Sequence, residues 1–310
     1  MSEPGPEMHA LVAERQRARE ARDWARADAL RDRLRAAGWL VRDTPHGPEL
    51  AAAPPYEPVD PAALAPRWDA PERHDASVVV HVTGWPADVA RATSALARHC
   101  GQLDYEVLLV DDAAGETTGR VLEELAAADA HVAALHLDQA VGFGTAMNLG
   151  MSQALGRALV WLDPHVEATG DLLTPLLDAL GEPGTGLAGG WGVTSRSLLE
   201  FQSDDGPEVD AIEGYLLAVP RTIAARVEVD PRNRYYRNAD LDYSFAVRDL
   251  GYRAVRVAVP ATRHRHRGYH DTDPATRDRA SRKNYDRFLR RWRSRTDMLT
   301  RGFTGYHRHD

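Results

Sequence analysis

Cysteine and lysine are nearly missing from this chain, with Cys100 and Lys283 the only ones. One cysteine excludes an intramolecular disulfide and favours a reducing, cytoplasmic setting. No run of about 18 apolar residues occurs, so no membrane-spanning helix is expected. The opening Met1-Ser-Glu-Pro-Gly-Pro has neither a basic nor an apolar segment, so no secretory leader is expected. With lysine so scarce, almost every cation is Arg, a bias that reads first as base composition of the source genome. Charge is also unevenly placed. The net charge is −8, yet residues 262–310 hold 14 basic and 6 acidic groups, leaving −16 on the remainder. A basic end of this kind suits an anionic membrane, a nucleotide, or the acidic body of the same protein. The 310 residues are enough for one large or two modest domains with a real core.

Residues 1–50 read as a first unit. Leu11 and Val12 begin a charged helix running to Ala21, and Asp23 suits the N-cap of a second. Ala27, Leu30, Leu34 and Ala37 recur at helical spacing, and Gly38 fits the position just past the helix end. An extended tail with a Thr44-Pro-His-Gly-Pro turn follows, giving a helical hairpin. Residues 51–75 are Ala/Pro-rich and read as a semi-extended linker.

From residue 76 the pattern alternates. Ser77–Val82, Tyr105–Val110, Val132–Leu135 and Ala158–Leu162 are short apolar strands. Between them lie helices over Pro86–Cys100, Thr118–Ala128 and Thr145–Leu155. Continuous apolar strands alternating with helices predict an α/β domain with a parallel, doubly wound sheet. Such sheets bind ligands outside the carboxyl ends of their strands. Acids gather at those ends: Asp111-Asp112 after one strand, Asp163-Pro-His165 after another. Asp240 and Asp242 open a later apolar segment. Together they suggest a polyanion or metal site at one sheet edge.

Each feature has a plainer reading. Asp111 and Asp112 accept hydrogen bonds from a nucleobase or ribose, or they are turn acids. Gly142 to Gly150, with Asn148 inside, lets backbone N–H groups approach a phosphate, or is ordinary helix entry. Asp163 and His165 have the spacing to hold a divalent ion, His favouring Mn²⁺ or a softer ion over Mg²⁺, or they form a turn. His264, His266 and His270 lie among Arg in a basic segment suited to phosphate or, through one His, to a metal, or it is merely solvated. Asp273-Pro274 starts a final helix whose Tyr285, Phe288, Leu289 and Trp292 form an apolar stripe. That stripe docks on the protein body or meets a membrane surface.

Taken in order, these elements resemble family-2 glycosyltransferases of the GT-A fold over residues 76–270: Val110-Asp-Asp, Gly142–Gly150, Leu162-Asp-Pro-His, Val209-Asp210-Ala-Ile-Glu-Gly214, Ala239-Asp-Leu-Asp with Gly251-Tyr252, and a late His. The resemblance implies a Rossmann-like, mostly parallel sheet flanked by helices. It implies inverting transfer of a sugar from a nucleotide-diphosphate sugar to the hydroxyl of a glycan, lipid-linked or other acceptor. Asp240 is the implied general base. Asp111, Asp112, Asn148 and Asp163 are implied for the nucleotide sugar. Trp191, Asp210, Gly214, Tyr215 and Asp242 are implied on the acceptor side. Asp163, His165, His264 and His266 are implied for a divalent metal, Mn²⁺ or Mg²⁺. Two positions depart from the pattern, His165 for a second metal-motif acid and Ala239 for the Glu of a Glu-Asp pair. A catalytically silent nucleotide-sugar or glycan binder is therefore the alternative.

The hairpin is similar to the C-terminal domain of cysteinyl-tRNA synthetases, through Leu11–Arg15, Ala21–Asp32 and Val41–Pro48. In those enzymes the domain touches tRNA, so an RNA-associated role is a third reading. The 8 Arg and 5 acids between residues 11 and 36 make no clear phosphate stripe, and packing or dimerisation is the preferred role. The expected location is cytoplasmic, with the inner face of a membrane as the alternative.

Overall fold

The computed structural model describes residues 4–44 and 47–306. Met1–Glu3, where a leader would begin, and Pro45 and His46 of the expected turn lie outside the described residues. The chain forms two compact units, Met1–Glu57 and Pro58–Asp310.

The smaller unit pairs α1 (Pro6–Glu20) with α2 (Trp24–Ala36). Proline at the start of α1 fits a position where no backbone donor is needed, which is why the helix begins five residues before Leu11. Asp23 caps α2 by accepting the Arg26 N–H at 3.1 Å, and Gly38 at φ +81° ends it. Leu11, Val12, Leu30 and Leu34 bury against one another with Met8, Val41 and Leu50. The expected extended tail is a β-hairpin, β1 (Trp39–Thr44) against β2 (Gly47–Ala52), with Val41 opposite Leu50. Many of its arginines are spent internally: Arg15 and Arg19 on Asp43, Arg26 on Glu14 and Arg31 on Asp28.

In the larger unit β3 (His74–Val82), α3 (Pro86–His99), β4 (Tyr105–Asp111), α4 (Glu116–Ala128), β5 (Val132–His136), α5 (Phe143–Gln153) and β6 (Gly156–Leu162) follow in alternation. Next come β7 (Val166–Ala168), α6 (Leu173–Gly181), β8 (Thr185–Gly189), and four short strands, β9 (Gly192–Thr194), β10 (Gln202–Asp204), β11 (Glu208–Val209) and β12 (Ala211–Ile212). The chain closes with β13 (Leu216–Pro220), α7 (Arg221–Ala224), α8 (Ala239–Asp249), β14 (Arg253–Arg256), β15 (Ala261–Arg263), α9 (Arg267–His270) and α10 (Pro274–Trp292).

The main sheet has eight strands in the order β11-β14-β8-β13-β6-β3-β4-β5. The strands β6, β3, β4 and β5 are parallel, as is the β14–β8 pair. β13 runs antiparallel to both β6 and β8, and β11 antiparallel to β14, so the sheet is mostly rather than wholly parallel. Alternate residues feed two cores. Val79, Leu159 and Trp161 face α5, α8 and α10, while Val78, Val80, Val160 and Leu162 face α3 and α6. Gly150 lets α5 lie tight on the sheet, because a Cβ there would stand 2.6 Å from methyls of Val79 and Val110. The stripe on α10 docks inward: Phe288 and Trp292 are buried, with Phe288 packed edge-on to Phe245. Among the described residues no helix is long and apolar enough to cross a membrane.

Residues 51–75, expected as a linker, divide. Ala51 and Ala52 finish β2, whereas Val59 bridges Leu137 and Arg221 donates to the carbonyls of Arg67 and Ala70 on the larger unit.

Candidate active site

Parallel β3, β4 and β6 deliver Thr83, Asp112 and Asp163 to one sheet edge. Antiparallel β13 begins opposite the end of β6, with Leu216 facing Leu162, so Glu213, Gly214 and Tyr215 arrive at the same edge. The Tyr215 carbonyl takes the Asp163 N–H at 3.0 Å and locks the two segments together.

Asp163 is the hub. Its Oδ1 accepts the His165 backbone N–H at 2.8 Å and faces His165 Nδ1 at 2.7 Å; its Oδ2 faces His266 Nε2 at 2.9 Å. Burial alone would raise this carboxyl, but the hydrogen bonds from the two imidazoles outweigh it and hold the pKa well below the ordinary carboxylate value. His165 Nε2 accepts from the Arg267 N–H at 3.0 Å, and His266 Nδ1 from the Tyr269 N–H at 3.1 Å. Tyr236, His266 and His165 form a stack, with ring centroids 4.5 and 4.3 Å apart and interplanar angles of 16° and 23°. Among the described residues Asp163, His165 and His266 form the one metal-type cluster, with ligand atoms all within 4.8 Å of one another. One carboxylate oxygen and two imidazole nitrogens converging from a strand end, a turn and a late loop fit a divalent ion with nitrogen affinity.

Two cavities meet at this hub. The smaller, about 250 Å³, is lined by His81, Thr83, Trp85, Met147, Arg234 and Tyr235 among others. The larger, about 560 Å³, is lined by Glu213, Tyr215, Arg237, Asp240, Tyr269 and His270 among others. Phe143, Asp163, Gly214, Tyr236 and His266 line both.

Asp240 stands in the first turn of α8 and lines only the larger cavity. Its carboxylate takes the N–H of Gly214 at 2.8 Å and of Leu241 at 3.0 Å, and no side-chain donor among the described residues reaches it. Burial pushes its pKa up, more than those backbone hydrogen bonds pull it down. Glu213 shares the cavity and is also raised by burial, but Arg263 Nη1 lies 3.3 Å from its Oε2. Arg263 is itself held between Trp191 and Tyr215, 4.8 Å from each ring.

The structure brings together Asp163, His165, His266, Gly214, Tyr215 and Asp240. It carries the other expected residues elsewhere. Asp111, buried at the end of β4, faces His136 Nδ1 at 2.7 Å and takes the Ala114 N–H at 2.8 Å. Asp112 takes the N–H of Val141 and Gly142 and reaches the smaller cavity only through His81, 3.1 Å away. Burial would raise the Asp112 carboxyl, but these donors bring it below the ordinary value. Asn148 spends both ends of its amide on the backbone of Val229. Asp210, fully buried, takes the N–H of Ser195 and Thr300 at 2.7 Å each, with Arg248 3.5 Å away. Asp242 accepts from Trp292 Nε1 at 2.7 Å and pairs with Arg291, tying α8 to α10 away from either cavity. His264 turns to Glu167 at 2.7 Å instead of joining the cluster. Trp191 braces Arg263 and lines neither of these two cavities. Trp191 aside, a buried or half-buried polar group is in each case consumed by a neighbouring donor or acid.

Several lining residues carried no expectation. Trp85, at φ +52°, follows the first strand in Thr83-Gly-Trp, a strand-end turn that signals a ligand edge. Tyr235, Tyr236 and Arg237 lie just before the Asp240 segment, in a Tyr/Arg run whose composition alone was the available signal. Glu213 precedes Gly214 in the Val209–Gly214 segment, where its sequence position alone does not mark it as a site residue.

Residues 77–201 match the family model described as glycosyl transferase family 2, and residues 2–47 match the cysteinyl-tRNA ligase anticodon binding domain. The hairpin is 54% identical over 43 residues to cysteine–tRNA ligase 1 of Burkholderia lata, 14% of this chain and 9% of that one. It is 62% identical over 37 residues to the ligase of Beutenbergia cavernae, 12% and 8% of the two chains. The chain thus spans less than a tenth of these ligases. A crystal structure of GalNAc-T7 with UDP, GalNAc and Mn²⁺ superposes with a TM-score of 0.58 at 16% identity, over 70% of this chain and 48% of that one, about half its length. A mannosyltransferase from Pyrobaculum calidifontis, in complex with GDP-Man and Mn²⁺, gives a TM-score of 0.48 at 18% identity over 63% and 57%. The family match ends before Asp240 and His266, so the reading of those two rests on geometry. Residues 77–201 of the larger unit thus match glycosyl transferase family 2 within a GT-A fold, and the smaller unit is similar to the cysteinyl-tRNA ligase anticodon binding domain.

Proposed function

We propose that the larger unit moves a sugar from a nucleotide-diphosphate sugar to an acceptor hydroxyl in one inverting displacement. The observation that carries this is Asp240: a carboxylate with raised pKa, held by backbone N–H groups alone, on the wall of a cavity that also reaches Asp163. The nucleotide would lie in the smaller cavity, between Trp85, His81 and Arg234, and the acceptor in the larger. Asp240 would take the proton of the acceptor hydroxyl as its oxygen bonds to the anomeric carbon; the bond from that carbon to the phosphate oxygen breaks, and the nucleoside diphosphate leaves with the electron pair. Asp163, His165 and His266 would hold a divalent ion, which supplies neutralising charge for the diphosphate. GalNAc-T7 has Mn²⁺ with UDP in its crystal structure, which supports the same reading here.

Ala239 packs into the core, leaving Asp240 the member of that pair that reaches the cavity; this favours turnover over a silent binding fold. Glu213 is the competing base, but its ion pair with Arg263 ties it up. The experiment is a thermal-shift panel of UDP-, GDP- and dTDP-sugars with and without Mn²⁺, followed by release of nucleoside diphosphate for any donor that stabilises the fold. Absence of stabilisation by every donor sinks the proposal.

A further inference from the structure

Asp88, in the first turn of α3, is a buried carboxylate that lines neither cavity. Arg91 Nη1 holds one of its oxygens at 2.7 Å. The other, Oδ2, accepts no hydrogen bond, although buried acceptors normally find a donor. It lies 3.3 Å from Arg267 Nε and 3.7 Å from His165 Nε2.

His165 gives that oxygen a role. Because its Nε2 accepts the Arg267 N–H, the neutral ring carries its proton on Nδ1 and donates it to Asp163. In that tautomer Nδ1 has no lone pair for a cation. To serve a metal with Asp163 and His266, the ring must carry its proton on Nε2 instead, with no net proton gained or lost. The Arg267 N–H is then the wrong neighbour, donor against donor, and the new Nε2–H needs an acceptor. Asp88 Oδ2 is the nearby carboxylate oxygen without a donor.

We infer that Asp88 is a positioning residue for His165: its Oδ2 accepts the Nε2–H of the metal-bound tautomer, while Arg91 occupies the other carboxylate oxygen. Carboxylate partners of this kind orient imidazole ligands and sharpen metal affinity. The inference rests on the metal reading proposed above.

The test titrates Mn²⁺ into the full-length protein without nucleotide, reading free Mn²⁺ by electron paramagnetic resonance. In Asp88→Asn the amide oxygen turns to Arg91 and the NH₂ faces His165, so affinity should fall about 10- to 100-fold. Arg91→Met, which leaves the Asp88 carboxylate in place, should stay close to wild type. Independently, ¹⁵N-histidine spectra of the wild-type protein should show the His165 proton moving from Nδ1 to Nε2 on addition of Zn²⁺; this decides the matter if the Asp88 variant does not fold. Wild-type affinity in Asp88→Asn, or a His165 that keeps its Nδ1 proton with metal bound, overturns the assignment alone. A wild-type protein that binds no Mn²⁺ overturns the metal reading and this assignment with it.

Discussion

Asp240→Asn removes a proton acceptor while keeping the shape of the side chain. The amide oxygen still takes the Gly214 N–H, so the change costs at most one hydrogen bond, that from Leu241, worth about 1 kcal/mol. Against this stands relief from burying a charge that the site raises in pKa. The folded pKa lies above the unfolded one, so the Asp240 contribution to stability is present below the unfolded pKa and lost as pH rises through the folded one. Above the folded pKa that contribution is gone, and there the variant should unfold near the wild-type temperature. Transfer should suffer far more. A positioned general base contributes about 10²- to 10⁴-fold, and at about 1.4 kcal/mol per decade the barrier rises by about 3–6 kcal/mol. The assay is release of nucleoside diphosphate under saturating donor and acceptor, with donor affinity measured separately by calorimetry. Donor affinity should be unchanged, because Asp240 does not line the smaller cavity. The wild-type rate should climb with pH through an apparent pKa above the usual Asp value and then level off, a limb missing from the variant. Turnover within about tenfold of wild type refutes the assignment. So does loss of transfer in Glu213→Gln with Asp240→Asn still active.

His264→Ala should keep Mn²⁺ affinity, because that ring is engaged with Glu167, whereas His266→Ala should lose it; both are read by Mn²⁺ titration. Asp242→Ala strands the Trp292 N–H in the α8–α10 contact and should destabilise the fold by about 1–3 kcal/mol in urea titration while leaving donor binding intact. Gly144→Ala places a Cβ 2.3 Å from the Asp230 carbonyl oxygen, a backbone atom that cannot swing aside, and should cost about 1–3 kcal/mol by the same measurement.

Fold and site were legible to different depths in the sequence. β3, β4 and β6 stand out because strands covered on both faces are apolar at every position. The α10 stripe stands out because its helical spacing is regular. β13 and β8 are not legible in this way: β13 interrupts the alternation without a helix before it, and β8 is glycine-bearing and short. Acids at strand ends were visible, but not where they point. Asp163 and Asp210 look alike in sequence; one opens onto cavities and the other is enclosed by Ser195, Thr300 and Arg248. His264 and His266 sit two residues apart on the way out of β15, yet only His266 turns inward, and the caps and stacks that turn it arise from Tyr236 and Tyr269, distant or unremarked in the sequence.

The two cavities share a wall. Tyr236 and His266 show a surface to each space, so a molecule that shifts them from one side reshapes the other. Thermodynamic reciprocity makes that influence mutual and equal: whatever the occupant of the smaller space does to affinity in the larger, the second occupant returns to the first. Any linkage between occupants of the two chambers would then run through a pair of stacked rings, a shared wall rather than a moving domain.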